Sequence, residues 1–167
     1  MQNIIFIHGL ESSGKGFKGR FLKEKIPHIL TPDFQEYSPR ISIAILLKQR
    51  MQQLITILTK KDHWILIGSS FGGLMAALFA LQNPAKVEKL ILLAPYLAHS
   101  ELDPKKFHPI DVQVLVYHGS RDQVVLLNAS LKRAKELFVN LEYNIVDDDH
   151  FLHNTMLNLN WKRIILK

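Results

Sequence analysis

Short apolar runs alternate along this chain with longer stretches whose apolar residues recur every three or four positions. Ile4-Ile5-Phe6-Ile7, Trp64-Ile65-Leu66-Ile67, Leu90-Ile91-Leu92-Leu93 and the span from Val112 to Tyr117 are dense in branched, aromatic and leucine side chains. Each reads as a buried strand. Leu141 to Val146 alternates apolar with polar residues, the pattern of a half-solvated strand, and Ile29-Leu30 before Pro32-Asp33 adds a short one. Between these runs the period is helical. The clearest case is Ile41 to Leu58, where Ile41, Ile45, Met51, Leu54, Ile55 and Leu58 recur and Lys48, Arg50, Gln52 and Gln53 fall between them as the polar side. Phe17 to Lys25, Phe71 to Gln82, Val124 to Phe138 and Asn154 to Leu166 are the other helices, and Asn83-Pro84 stops the second of these.

Strand alternating with helix predicts an α/β fold: a mostly parallel central sheet of about six strands with helices on both faces. The 167 residues, 47% of them apolar, suffice for one domain with a real core and are too few for two. We therefore expect a single domain over 1–167, with the irregular stretch 95–109 as its one lid-like link. No run of eighteen apolar residues is present, so no membrane insertion is expected. The start, Met1-Gln2-Asn3-Ile4, has no basic region and leads straight into a strand, which points to a cytoplasmic protein. Cysteine is absent, which excludes disulfides, thiolate metal sites and cysteine nucleophiles. The histidines show no metal-ligand spacing, and neither metal nor cofactor is implied.

The net charge of +6 owes much to Lys15, Lys18, Arg20, Lys23 and Lys25. A solvated basic surface accounts for it; so does a patch that draws in an anionic substrate group. Nucleic acid is not an expected partner, because no aromatic residues alternate with the basic ones to form a stacking platform.

The chemistry centres on Gly68-Ser69-Ser70-Phe71-Gly72, a G-x-S-x-G pattern. The strand at Trp64–Ile67 leads in, and a helix of small and apolar residues leads out. In that setting the pattern is a nucleophile elbow, a turn so tight that the flanking positions must be small and the serine is held at strained φ/ψ. Ser70 is the candidate nucleophile. Sites in parallel α/β sheets lie at the carboxyl ends of strands, and two such ends supply the partners. His118-Gly119-Ser120-Arg121-Asp122 follows one strand, and Asp147-Asp148-Asp149-His150-Phe151 follows the last. Asp122 and His150 then complete the order Ser, Asp, His. His153 is a rival base placed at the start of the last helix, and Asp147, Asp148 and Asp149 are rival acids in the same turn as His150. His8 and His118, each before a glycine at a strand end, are expected to bond loop backbone.

These motifs together, with Ile7-His8-Gly9-Leu10 after the first strand, resemble the α/β-hydrolase superfamily, and within it the compact, cap-poor bacterial serine esterases of the YqiA-like kind. The similarity spans almost the whole chain. It implies the three-layer α/β-hydrolase fold and hydrolysis of a small-molecule carboxylic ester or thioester. Two departures stand out: the usual antiparallel first hairpin is missing, and the link after the fourth strand is too short for a full lid.

In such a site His150 takes the proton from Ser70 as it attacks, and Asp122 fixes the imidazole tautomer. The oxyanion needs donors aimed in advance. The backbone N–H groups of Phe71, opening the helix after the elbow, and of Leu10 are the candidates, with Gly9 allowing the chain to turn the second toward the site. Tyr96, Leu97 and Phe107 are candidates to line an acyl pocket. Two other classes stay open. The stretch Gly9 to Lys15 spells G-x-x-x-x-G-K, as a phosphate-binding loop would, but Gly16 stands where a hydroxyl should hold Mg²⁺. An α/β-hydrolase scaffold used only for binding is the other.

Overall fold

A computed structural model describes residues 2–166. Five strands form one sheet in the order β1-β2-β3-β4-β5, with β1 at Asn3–Ile7, β2 at Trp64–Ser69, β3 at Val87–Leu93, β4 at Gln113–Gly119 and β5 at Leu141–Val146. Every neighbouring pair is parallel. The expected sixth strand is a single bridge. Phe6 N–H donates to Leu30 O at 2.8 Å and Leu30 N–H to Ile4 O at 2.9 Å, and no further ladder forms before Pro32. That bridge covers the outer edge of β1.

Successive side chains of a strand point to opposite faces, and here both faces are packed. Ile5, Ile7, Leu66, Leu90, Leu92, Val114 and Val116 belong to one apolar cluster with α2 (Ile43–Leu58), α3 (Phe71–Gln82) and α4 (Leu127–Leu137). Ile4, Phe6, Ile65, Ile67, Ile91, Leu93 and Leu115 form the other with α1 (Phe17–Lys25), α5 (His153–Asn158) and α6 (Trp161–Leu166). The result is three layers, helix–sheet–helix. No helix among the described residues is long and apolar enough to cross a membrane.

Two helices differ from the sequence pattern for identifiable reasons. The expected start of α4 at Val124 is pre-empted by Asp122, whose Oδ1 accepts the N–H groups of Val124 and Val125 at 2.8 Å each and holds them in a loop. The expected last helix is two, because Asn160 Oδ1 accepts the Arg163 N–H at 3.0 Å and starts α6 afresh. The link 95–109 contains two short 3₁₀ turns, Ser100–Leu102 and Pro104–Lys106. Arg133 of α4 pins it to the fold, donating from Nη1 to the carbonyls of Leu97, His99 and Leu102 at 3.3, 2.9 and 2.9 Å.

Candidate active site

The carboxyl ends of β1, β2, β4 and β5 converge on one cleft. At the end of β2 the chain reverses direction within one residue. Ser70 takes φ 53° and ψ −114°, a conformation that L-residues avoid, and α3 begins at the next residue. Four hydrogen bonds lock the turn: Ser70 N–H donates to Leu93 O at 2.9 Å, while Ser70 O accepts from Gly73 N–H at 2.9 Å, Tyr96 N–H at 3.1 Å and Leu74 N–H at 3.3 Å. Close approach explains the glycines. A Cβ on Gly68 would sit 2.6 Å from the Gly72 carbonyl oxygen, and one on Gly72 would collide with the carbonyl of Ile7. The hydroxyl of Ser70 is left standing in the cleft.

His150 meets it there. Its Nε2 lies 3.1 Å from Ser70 Oγ, and its Nδ1 lies 2.8 Å from Asp122 Oδ2. With Nδ1–H donating to the carboxylate, Nε2 is free to accept the serine proton. The Asp122 side chain has no exposed surface, and that of His150 is 13% exposed. Burial alone would raise the Asp122 carboxyl, but hydrogen bonds from His150, Val125 and Val124 outweigh it and leave it below the ordinary carboxylate range. The acid is therefore a carboxylate at neutral pH.

His118 does more than bond loop backbone. Its Nε2 is 3.1 Å from both Val125 O and Asp122 Oδ2, and its Nδ1 is 2.7 Å from Tyr143 Oη. Burial pushes this imidazole below its usual pKa despite those acceptors, so it is neutral. Nε2–H donates, Nδ1 accepts the tyrosine proton, and Oδ2 of Asp122 is held by two imidazoles at once. His8 is also buried and pushed down, chiefly by desolvation. Its Nε2 accepts the Phe34 N–H at 2.9 Å, so Nδ1–H donates to Gly9 O at 2.8 Å.

These two histidines make the fold sensitive to mild acid. Their folded pKa values lie below the ordinary value of about 6.5, so on acidification the unfolded chain takes up protons first. Their contribution is complete above about pH 6.5 and is lost as pH falls below it, whereas the contribution of the depressed carboxyls of Asp122 and Asp148 is complete above about pH 4 and is lost only as pH falls further. Thermal melts should therefore show Tm falling between pH 7 and pH 5; a constant Tm over that interval would contradict the neutral buried pair.

The rival residues have other occupations. His153 opens α5 and packs edge-on against Phe17, ring centroids 4.4 Å apart, with no hydrogen bond to Ser70 or Asp122 among the described residues. Asp148 accepts Thr155 N–H at 2.9 Å and Thr155 Oγ1–H at 2.8 Å, tying α5 to the His150 loop. Asp149 Oδ1 accepts the Phe151 N–H at 2.9 Å, and Asp147 pairs with Arg121 at 3.0 Å on the surface.

The cleft encloses about 990 Å³ and is lined by Ser70, His150, Gly9, Leu10 and Phe71 among others. The Leu10 and Phe71 N–H groups have no hydrogen-bond partner among the described residues. Of the residues expected to form a pocket, Tyr96 lines the cleft. Leu97 and Phe107 do not: Leu97 is fully buried in the core, and Phe107 packs on the same cluster. The apolar wall comes instead from Phe17, Val124 and Phe151, all exposed and all on the cleft. Only exposure could have marked them, and sequence does not carry it. Of the five early basic residues, Lys18 alone lines the cleft; burial pushes its ammonium down to about 8 against the raising pull of Asp149 and Asp148. The segment that spells a phosphate loop is filled from within. Gly14 N–H donates to Asp33 Oδ1 at 2.8 Å, and Lys15 Nζ is 3.8 Å from Asp33 Oδ2.

The model of the Alpha/beta hydrolase family matches residues 37–153, from ahead of α2 to the first residue of α5. The chain belongs to the α/β hydrolase family. Membership places it among hydrolases. Solved structures share its fold. It is similar to α/β hydrolase domain-containing protein 10 from mouse, at 19% identity and TM-score 0.74, covering 99% of this chain and 90% of that one. It is also similar to Est1E from Butyrivibrio proteoclasticus, solved with ferulic acid bound, at 16% identity and TM-score 0.76, covering 99% and 88%. A third, assigned to the α/β superfamily of hydrolases in Xanthomonas campestris pv. campestris, has 24% identity and TM-score 0.74, covering 94% and 92%. By sequence the chain matches none of the curated proteins. The sheet of this α/β hydrolase has five strands rather than about six and no antiparallel pair among the described residues.

Proposed function

We propose that the protein hydrolyses carboxylic esters or thioesters through an acyl-enzyme on Ser70. The observation that carries this is the unbroken row Ser70 Oγ, His150 Nε2 and Nδ1, Asp122 Oδ2, with contacts of 3.1 and 2.8 Å. A serine hydroxyl needs a base within hydrogen-bond reach to attack at neutral pH, and the base needs a group that fixes its tautomer. Ser70 attacks the acyl carbon while its proton passes to His150 Nε2. The imidazolium then gives that proton to the leaving alkoxide or thiolate. Water, deprotonated by the same nitrogen, attacks the acyl carbon, and collapse returns the free acid and Ser70. In both tetrahedral stages the N–H groups of Leu10 and Phe71 face the oxyanion.

The apolar wall of Phe17, Tyr96, Val124 and Phe151 suits a substrate with a hydrocarbon part beside the scissile bond. The link 95–109 is a wall of this cleft at Tyr96 and His99 rather than a free lid. A panel of acyl esters and acyl thioesters of graded length tests the proposal. Turnover is expected for activated esters. Saturable binding of these compounds without turnover would point instead to a scaffold that only binds.

A further inference from the structure

Arg50 lies on the apolar stripe of α2 and has no solvent exposure. Its guanidinium meets no carboxylate within ion-pair distance among the described residues. It meets backbone carbonyls instead. Nε donates to Gln35 O at 2.7 Å, Nη1 to Gly9 O at 3.1 Å and Nη2 to Leu10 O at 2.8 Å. Its carbon lies 5.5 Å from the centre of the Phe71 ring. One side chain thus touches both cleft-lining residues whose N–H groups are without a partner among the described residues. A buried cation without a counter-ion is costly, and such a group is found where its charge or its geometry is used.

The geometry follows from the planarity of the peptide. In a trans unit the C=O of Gly9 and the N–H of Leu10 point in opposite directions. Gly9 O accepts from Arg50 Nη1 on one side, from His8 Nδ1 at 2.8 Å, and more weakly from Ser12 N–H at 3.5 Å. The Leu10 N–H is thereby turned away from Arg50 and His8; Gly9 itself lies against Ser70, since a Cβ on it would be 3.6 Å from Ser70 Cβ, and both Gly9 and Leu10 line the cleft. Glycine freedom is not what turns this peptide, because no described glycine has a positive φ and the space at Gly9 would accept a methyl group at ordinary contact distance. We propose that Arg50 is the positioning residue of the oxyanion site: its fork holds the Gly9–Leu10 peptide with the N–H aimed at the reacting oxygen, and its charge polarises that N–H. Desolvation lowers its pKa to about 10, which leaves the guanidinium charged at neutral pH. This rests on Ser70 being the nucleophile.

The test uses Arg50→Met and Arg50→Lys beside the wild type, with an activated ester and with a phenylboronic acid, which adds to the serine oxygen as a tetrahedral anion. For variants that keep the native circular dichroism spectrum, kcat should fall about 10²-fold with KM changed less than about threefold. Boronate affinity should fall in step with kcat, and the Lys variant should restore little, since one ammonium cannot hold three carbonyls in a fork. A merely structural arginine would lower Tm and leave kcat and boronate affinity unchanged in the folded fraction, and that result overturns the proposal. The wild type gives a reading that does not depend on variants folding. On boronate addition the Leu10 amide proton and the Arg50 side-chain N–H signals should shift in NMR spectra, and unmoved signals overturn the proposal. An active wild type with undiminished Arg50→Met activity removes Arg50 alone. A wild type that neither turns over esters nor takes up the boronate removes Ser70 and Arg50 together.

Discussion

Ser70→Ala should abolish measurable ester turnover, lowering kcat by ~10⁴-fold or more, with the fold intact. The size follows from what is lost. Without the hydroxyl no acyl-enzyme forms, and only the oxyanion donors and substrate binding remain. The fold should survive, because the serine hydroxyl supports nothing but the His150 contact at 3.1 Å, while the turn is locked by backbone bonds. Stability should be little changed, since alanine keeps the Cβ and with it the same strained backbone at φ 53° and ψ −114°. Steady-state kinetics with an activated ester, beside thermal melts, checks both halves. A variant with more than about a tenth of wild-type turnover would move the nucleophile elsewhere.

His150→Asn should cost a comparable factor, because the imidazole that bridges Ser70 and Asp122 is gone. His153→Asn is the matching control. That ring packs edge-on against Phe17 and bonds neither reacting group, so turnover should stay within about threefold of wild type. The reverse pattern would assign the base to His153. Residues that act as a unit are not additive. The double variant Ser70→Ala with His150→Asn should therefore be hardly worse than either alone, whereas independent roles would multiply the losses.

Much of this was legible in the chain itself, and the exceptions are instructive. Strand and helix periods placed five strands, and the elbow and the Ser, Asp, His order named the three groups that the structure brings into one row. What the period could not show was the use made of a polar residue on an apolar stripe. The sequence pattern set Arg50 on the polar side of this helix, yet it stands four residues from both Leu46 and Leu54, each fully buried, and is itself without exposure. Its charge argued for solvent, and the backbone carbonyls that receive it come from segments far away in sequence. The loop role of Val124 and Val125 was hidden for a similar reason: Asp122 takes their amides, a competition that helical propensity does not register. Leu97 and Phe107 read as pocket residues by position in the link, but a short, pinned link packs its apolar side chains inward. The sixth strand shrank to one bridge because the chain turns away at Pro32.

The most direct measurement is to treat the protein with a fluorophosphonate probe and locate the adduct by peptide mass spectrometry. A single phosphonyl group on Ser70, absent in Ser70→Ala and much slower to form in His150→Asn, is the predicted result. No adduct in the folded wild type, or equal labelling of the wild type and Ser70→Ala, would contradict a nucleophile at the β2–α3 turn.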